Sequence, residues 1–259
     1  MIQGQQTSLP PLTRRLLGWE IVVVFAVSLG ASAMFAVINL IASLTAPKAL
    51  RQQQALLVGS LAPGRPLLDL TLQLANIIAA LAPVALVFYL LAREGEGPSA
   101  LGIDATRPAS DLARGAVLAA VIGGSGLALY VAAFHLGISL NVVPEDLPAI
   151  WWRIPVLILD AAQNGILEEV LVLGYLLRRL DQLGWAPGKA IALAAVVRGS
   201  YHLYQGFGGF IGNAILGVIF GVLYKRWGRV TPMIIAHTLI DTGAFVGYAV
   251  LHGHVSWLP

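Results

Sequence analysis

The sequence predicts an all-α protein, a polytopic transmembrane helix bundle of about seven spans, with eight as the alternative count. Three observations predict it. Hydrophobic residues make up 58% of the 259-residue chain and charged residues only 11%, far below the roughly 25% charged that is usual in soluble domains. Apolar stretches of helical length recur at about 17–44, 67–92, 112–137, 152–177, 188–204, 208–225 and 230–251, and about 20 apolar residues suffice to cross a bilayer. The lysines and arginines fall mainly into alternate connections, as the positive-inside rule requires.

The first stretch follows Arg14 and Arg15 and includes Ala31, Ser32 and Ala33, which together imitate a cleavable signal peptide. The apolar run continues past that point, so an uncleaved first helix is expected. Pro63 to Pro66, Gly95 to Pro98, Pro144 to Pro148 and Gly184 to Gly188 punctuate the chain between later stretches. With the N-terminus in the cytoplasm, Arg14, Arg15, Arg93, Arg107, Arg114, Arg178, Arg179, Lys189, Lys225, Arg226 and Arg229 fall on the inner side. Lys48, Arg51, Arg65 and Arg153 fall outside, and Arg198 lies within a span. The six tryptophans sit near span ends and read as interfacial anchors. The fifth and sixth stretches are joined at residues 204–208, and the sixth has Gly208/Gly212 and Gly217/Gly221 at a spacing that favours close helix packing.

Absence of cysteine excludes disulfides, thiolate zinc sites and cysteine nucleophiles within this chain. The net charge of +3 is small and divided among loops, so it speaks of orientation among membrane lipids and not of a nucleic-acid partner.

Against this apolar background, Glu168 and Glu169 stand side by side inside the fourth span, in the stretch GILEEVLVLGYLL. A charged acid at mid-membrane costs roughly 2.5–3.5 kcal/mol on insertion scales, which makes it a functional-site candidate. Asp160, Asn164 and Glu168 recur at intervals of four, on one helix face. Arg198 and His202 share that spacing on the fifth span, and His237 and Asp241 share it on the seventh. At about 1.5 Å of rise per residue, Glu168, Arg198, His202, His237 and Asp241 lie roughly 12–20 Å in from the cytoplasmic span ends, a spread that helix tilt absorbs. One shared intramembrane site is therefore expected.

The residue types point to hydrolysis. A carboxylate and an imidazole on one water can act as general base and then general acid, and two adjacent glutamates do not both ionise easily in a low dielectric. If Arg198 pairs with Glu169, Glu168 is left to handle protons, while His237 and Asp241 polarise a carbonyl or steady an oxyanion. The same glutamate, histidines and aspartate also form a candidate set for one divalent metal such as zinc. Residue identities leave both the metal-bound and the metal-free mechanism open. A non-catalytic scaffold or a proton-linked transporter is the competing class. A transporter of the common kind shows paired repeats and broken helices in both halves, whereas the polar intramembrane residues here gather after residue 150.

Paired glutamates on one span, a histidine on the next, and a histidine followed four residues later by Asp on a later span resemble the CPBP intramembrane proteases. That group includes CAAX prenyl endopeptidases and bacterial proteins linked to bacteriocin processing and self-immunity. The resemblance covers about residues 150–245. It implies three parts: N-terminal transmembrane helices over 1–149, catalytic helices over 150–245 and a C-terminal tail over 246–259. It also implies peptide-bond hydrolysis in the membrane by Glu168, Glu169, His202, His237 and Asp241, on a peptide or protein substrate, in one branch of the C-terminal Cys-a-a-X type. A bacterial plasma membrane is the implied location. The chain departs from the family pattern at two positions. Leu173 stands where Glu-Glu-x-x-x-Arg has its arginine, and Arg198 stands where a phenylalanine usually precedes the second-motif histidine by four. A cation moved from one helix to its neighbour is the expected connection.

Overall fold

The computed structural model describes residues 13–251. His252, His254 and Trp257 fall outside them, as does the end of the tail. The chain is a helical bundle with little sheet. In order, the elements are α1 (Arg14–Ala26), α2 (Leu29–Thr45), β1 (Gln54–Gly59), α3 (Pro66–Ala80), α4 (Ala82–Arg93), α5 (Pro108–His135) and β2 (Asn141–Asp146). There follow α6 (Arg153–Glu168), a π-helical segment over Glu169–Leu176, α7 (Leu177–Gln182), α8 (Pro187–Ser200), α9 (Phe207–Trp227) and α10 (Thr231–Leu251).

Each apolar stretch is helical, but four are not the plain helices the sequence suggests; the second is interrupted at Leu81, between α3 and α4. The first is broken between α1 and α2 and bent by 54°, where Ser28 turns its hydroxyl onto the Val24 carbonyl. The fourth changes from α to π winding immediately after Glu168. The fifth stops at Ser200, short of the expected 204, and the chain turns through Leu203–Gln205 before α9 begins. Gly206 makes that turn with φ +96°, and a Cβ there would sit 2.9 Å from the Ile138 carbonyl. The turn is also tied to the connection after α5: Leu140 N–H donates to the Gln205 carbonyl at 3.0 Å and Ser139 Oγ donates to the same oxygen at 3.0 Å.

Among the described residues, four helical stretches are long and apolar enough to cross a membrane, or five if the bent α1–α2 pair is one span. The two stretches outside that group are 153–182 and 187–200. Protein covers the first of them completely over Glu169–Leu176, while Ile158, Leu159 and Val196 remain exposed. Val170, Leu171, Val172, Leu173 and Tyr175 are fully buried at the centre of the main apolar cluster, which draws on α1, α4, α8, α9 and α10.

The connections segregate onto two faces, as alternating crossings produce. On one face β1 pairs in parallel with β2, Gln54 opposite Asn141 through Gly59 opposite Asp146, beside the Ser139–Gly206 bridge. This small sheet was not foreseen from the sequence. On the other face Arg229 holds Asp111 and Asp104, Arg178 holds Glu96, and Lys225 holds Asp181. Several tryptophans are exposed as interfacial anchors would be, Trp19, Trp151 and Trp185 among them. Trp152 is a correction: it is buried in a second cluster with Val58, Leu157 and Phe245 under the sheet, because the chain entering α6 dives directly beneath β1 and β2.

Candidate active site

Three close approaches bring the site helices together. A Cβ on Gly165 of α6 would meet Thr238 Oγ1 of α10 at 2.7 Å, and one on Gly217 of α9 would meet the Ala195 Cα of α8 at 2.9 Å. One on Gly221 would meet Ile191 at 3.1 Å. Small residues at these points let α6, α8, α9 and α10 pack closely enough for polar side chains to meet.

They meet at the α-to-π transition. The wider π winding narrows the angle between consecutive side chains to roughly 80°, against about 100° in an α-helix. Glu168 and Glu169 consequently reach one guanidinium. Arg198 Nη1 donates to Glu169 Oε1 at 2.7 Å, and Nη2 lies 3.4 Å from Glu168 Oε2. The Arg198–Glu169 pair expected from the sequence is therefore present, and both side chains are fully buried.

His237 on α10 closes the group. Its Nδ1 lies 2.8 Å from Glu169 Oε1 and 3.2 Å from Arg198 Nη2, and its Nε2 lies 3.4 Å from Asp241 Oδ2. A carboxylate flanks each ring nitrogen, so the ring can donate on both sides.

His202 lies two residues beyond the end of α8 and not on the helix face that the sequence suggested. The distinction matters for its chemistry. Its Nδ1 is 3.0 Å from the Arg198 carbonyl, an oxygen that can only accept, so Nδ1 carries the hydrogen and Nε2 presents its lone pair. That Nε2 points at Glu168 Oε1 across 4.0 Å. The span is too long for a direct hydrogen bond and suits one bridging water with bonds of about 2.8 Å to each side.

Tyr201 was not singled out for a role by the sequence. It is buried, and its hydroxyl donates to Glu168 Oε2 at 2.8 Å. The available signal was spacing: Arg198, Tyr201 and His202 stand at i, i+3 and i+4, which gathers them on one side of a helix end. Leu173, at the family's arginine position, belongs to the apolar core.

A cavity of about 1130 Å³ opens onto this group, walled by Asp160, Asn164, Glu168, Tyr201, His202, His237 and Asp241 with apolar residues of α5, α9 and α10. Four of the five sequence-predicted site residues line it. Glu169 is not among the lining residues; it stands against Arg198 and His237 with no exposed surface. His135 is exposed at the end of α5, away from the group.

The donor set does not fit a metal ion. Zinc needs three or four donors converging at about 2.0–2.2 Å. Here a guanidinium already sits within 3.4 Å of Glu168 and 2.7 Å of Glu169, and both nitrogens of His237 face carboxylates. Among the described residues no group of three or more His, Cys, Asp or Glu is arranged to hold one.

Residues 150–243 match the model of the Rce1-like family, type II CAAX prenyl endopeptidase. No curated protein and no solved structure gives a significant match. The matched segment contains every residue of the site just described, from Asp160 to Asp241. With the apolar helices around it, the chain is an integral membrane protein whose residues 150–243 are similar to the Rce1-like CAAX prenyl endopeptidase family.

Proposed function

We propose that the protein is an intramembrane endopeptidase that hydrolyses a peptide bond with a water activated by Glu168 and His202, without a metal. The family match supports the protease class. The observation that carries the mechanism is the 4.0 Å gap between Glu168 Oε1 and His202 Nε2 on the cavity wall.

In this reading a water donates one hydrogen to Glu168 Oε1 and the other to His202 Nε2. The water oxygen bonds to the scissile carbonyl carbon as its proton passes to Glu168. The carbonyl oxygen gains the negative charge, and His237 Nε2–H, which faces Asp241 at 3.4 Å in the resting site, turns to donate to it while Glu169 holds Nδ1. Collapse breaks the C–N bond, and Glu168 returns its proton to the leaving amine. Glu169 acts from behind, through Arg198 and His237. The substrate is a peptide or protein segment reaching the cavity from the membrane; the Cys-a-a-X C-terminus is the type we would test first. The cation asymmetry among the loops supports a cytoplasmic N-terminus, and the family resemblance suggests a bacterial plasma membrane as the location.

The test is cleavage of a peptide library by the purified protein in liposomes, with and without a strong chelator. Glu168→Ala is expected to reduce cleavage by roughly 100- to 10,000-fold, the range of a lost general base, and chelation to leave the rate unchanged. Equal cleavage by wild type and Glu168→Ala would sink the enzyme reading. Loss of cleavage on chelation, restored by zinc, would replace the metal-free mechanism by a metal-dependent one.

A further inference from the structure

We propose that Arg198 is the positioning residue of this site: from α8 it locks Glu169 and His237 into one unit and holds one oxygen of Glu168, leaving the other for water. The inference rests on the hydrolase reading above and goes beyond it, because Arg198 touches neither the cavity nor a substrate.

The first argument is how the guanidinium is shared. An arginine that serves stability alone is best placed in a two-pronged pair with one carboxylate. Arg198 instead divides its two terminal nitrogens between two carboxylates and packs one of them against His237. Nη1 takes Glu169 Oε1 at 2.7 Å, while Nη2 stands 3.4 Å from Glu168 Oε2 and 3.2 Å from His237 Nδ1. The cost of this arrangement is visible: among the described residues Glu169 Oε2 and Arg198 Nε are buried with no hydrogen-bond partner. Buried polar groups left unsatisfied call for an explanation, and a functional one fits where reacting groups converge.

The second argument is the asymmetry imposed on Glu168. Tyr201 Oη at 2.8 Å and Arg198 Nη2 at 3.4 Å both address Oε2. Oε1 faces His202. With Oε2 held, the carboxylate cannot rotate, so its free lone pairs stay aimed at the gap where water would sit.

The third is that Arg198 is itself held still. Its Cζ lies 5.6 Å from the Phe220 ring centroid, its Cδ lies 3.3 Å from where a Gly217 Cβ would be, and the side chain has no exposed surface. Its backbone carbonyl also accepts from His202 Nδ1 at 3.0 Å. One residue therefore orients the acid through its side chain and the imidazole through its main chain.

The experiment compares full-length wild type, Arg198→Lys and the balanced double variant Arg198→Gln with Glu169→Gln, each in liposomes with a cleavable peptide. Lysine keeps the charge and loses the fork; the double variant removes both charges together, so no uncompensated one stays buried. The expected result is a kcat lowered roughly tenfold or more with KM within about twofold and unfolding temperature nearly kept, the pattern of an interaction realised in the transition state. A second reading comes from ¹⁵N NMR of the histidine rings, where Arg198→Lys is expected to shift the His237 signals. Overturning results are a kcat within about twofold of wild type in the double variant, or a fall confined to KM and thermal stability. If wild type cleaves and Glu168→Ala does not, such a result sinks this inference alone. If neither cleaves, both readings fall together.

Discussion

The helix α5 and the stretch 153–182 run through the same bundle and have opposite surfaces. Along α5, Leu112, Val117 and Val121 are 59%, 63% and 66% exposed, and the helix is recognisable as a span by apolarity alone. In the inner stretch, Val170 through Tyr175 are fully buried, and Glu168 and Glu169 interrupt the apolar run. Apolarity alone thus does not distinguish a span that faces lipid from one that other helices cover. A helix surrounded by other helices is free to carry charge, provided that charge finds partners.

The largest effect that would sharpen this contrast is at the inner stretch. Arg198→Leu leaves Glu169 buried beside His237 without its cation and is expected to destabilise the protein by about 3–5 kcal/mol, measured by unfolding in detergent. Adding Leu173→Arg to that background tests whether the cation moved between helices. If the pair is no more stable or active than Arg198→Leu alone, the connection between the two departures from the family pattern is wrong.

A smaller effect of opposite signs follows from the glycines. At Gly165, alanine would press on Thr238 and on the Ile234 carbonyl at 3.1 Å and should cost about 1–3 kcal/mol as overpacking. At Gly18 of the outer helix α1, nothing lies within 4 Å of a Cβ, and alanine should be neutral or stabilising by about 0.5–1 kcal/mol. Equal responses at the two sites would break the comparison. Smaller still, Val121→Ala on the lipid face of α5 should change stability by less than about 0.5 kcal/mol.

The smallest predicted effect concerns the inner-face loops. Hydrogen bonds from Arg229 hold the Asp104 carboxyl well below the usual carboxylate range, so the folded form binds a proton less readily than the unfolded chain. The contribution is present above the unfolded value of about 3.9 and is lost as pH falls through the lower folded one. Asp104→Asn should therefore lower stability slightly near neutrality, where the contribution is present, and flatten the acid side of the stability–pH profile below about pH 4.

Much of this was legible in the residues. Seven apolar stretches marked the helices, and acids and histidines at four-residue spacing marked residues that the fold gathers at the candidate site. Even the pair between Arg198 and Glu169 followed from matching depths. Three features were not legible, each because it depends on neighbours in space. The π segment is apolar in every residue after Glu169, so no periodicity marks its winding. The end of α8 at Ser200 is set by the main-chain bonds from residues 138–140, far away in sequence. Pairing of β1 with β2 joins loops separated by more than eighty residues, as Gln54 opposite Asn141 illustrates. Trp152 was misjudged for the same reason: sequence placed it at a span end but could not reveal the strands above it.

The π-wound segment also sets a rotational phase. Roughly one extra residue in each of its turns, relative to α, determines the direction in which Arg178 and Arg179 leave the bundle axis. Arg179 Nε reaches Glu20 at 2.8 Å and Nη1 reaches Glu94 at 2.8 Å, and Arg178 reaches Glu96. Deleting a single residue between 170 and 174 and rewinding the rest as ordinary α would replace eight steps of about 80° by seven of about 100° and turn both arginines off these partners by roughly 60°. The indexing between the paired acids and these arginine moorings is thus written into a count of residues, and a one-residue gap there would unhook both ends at once.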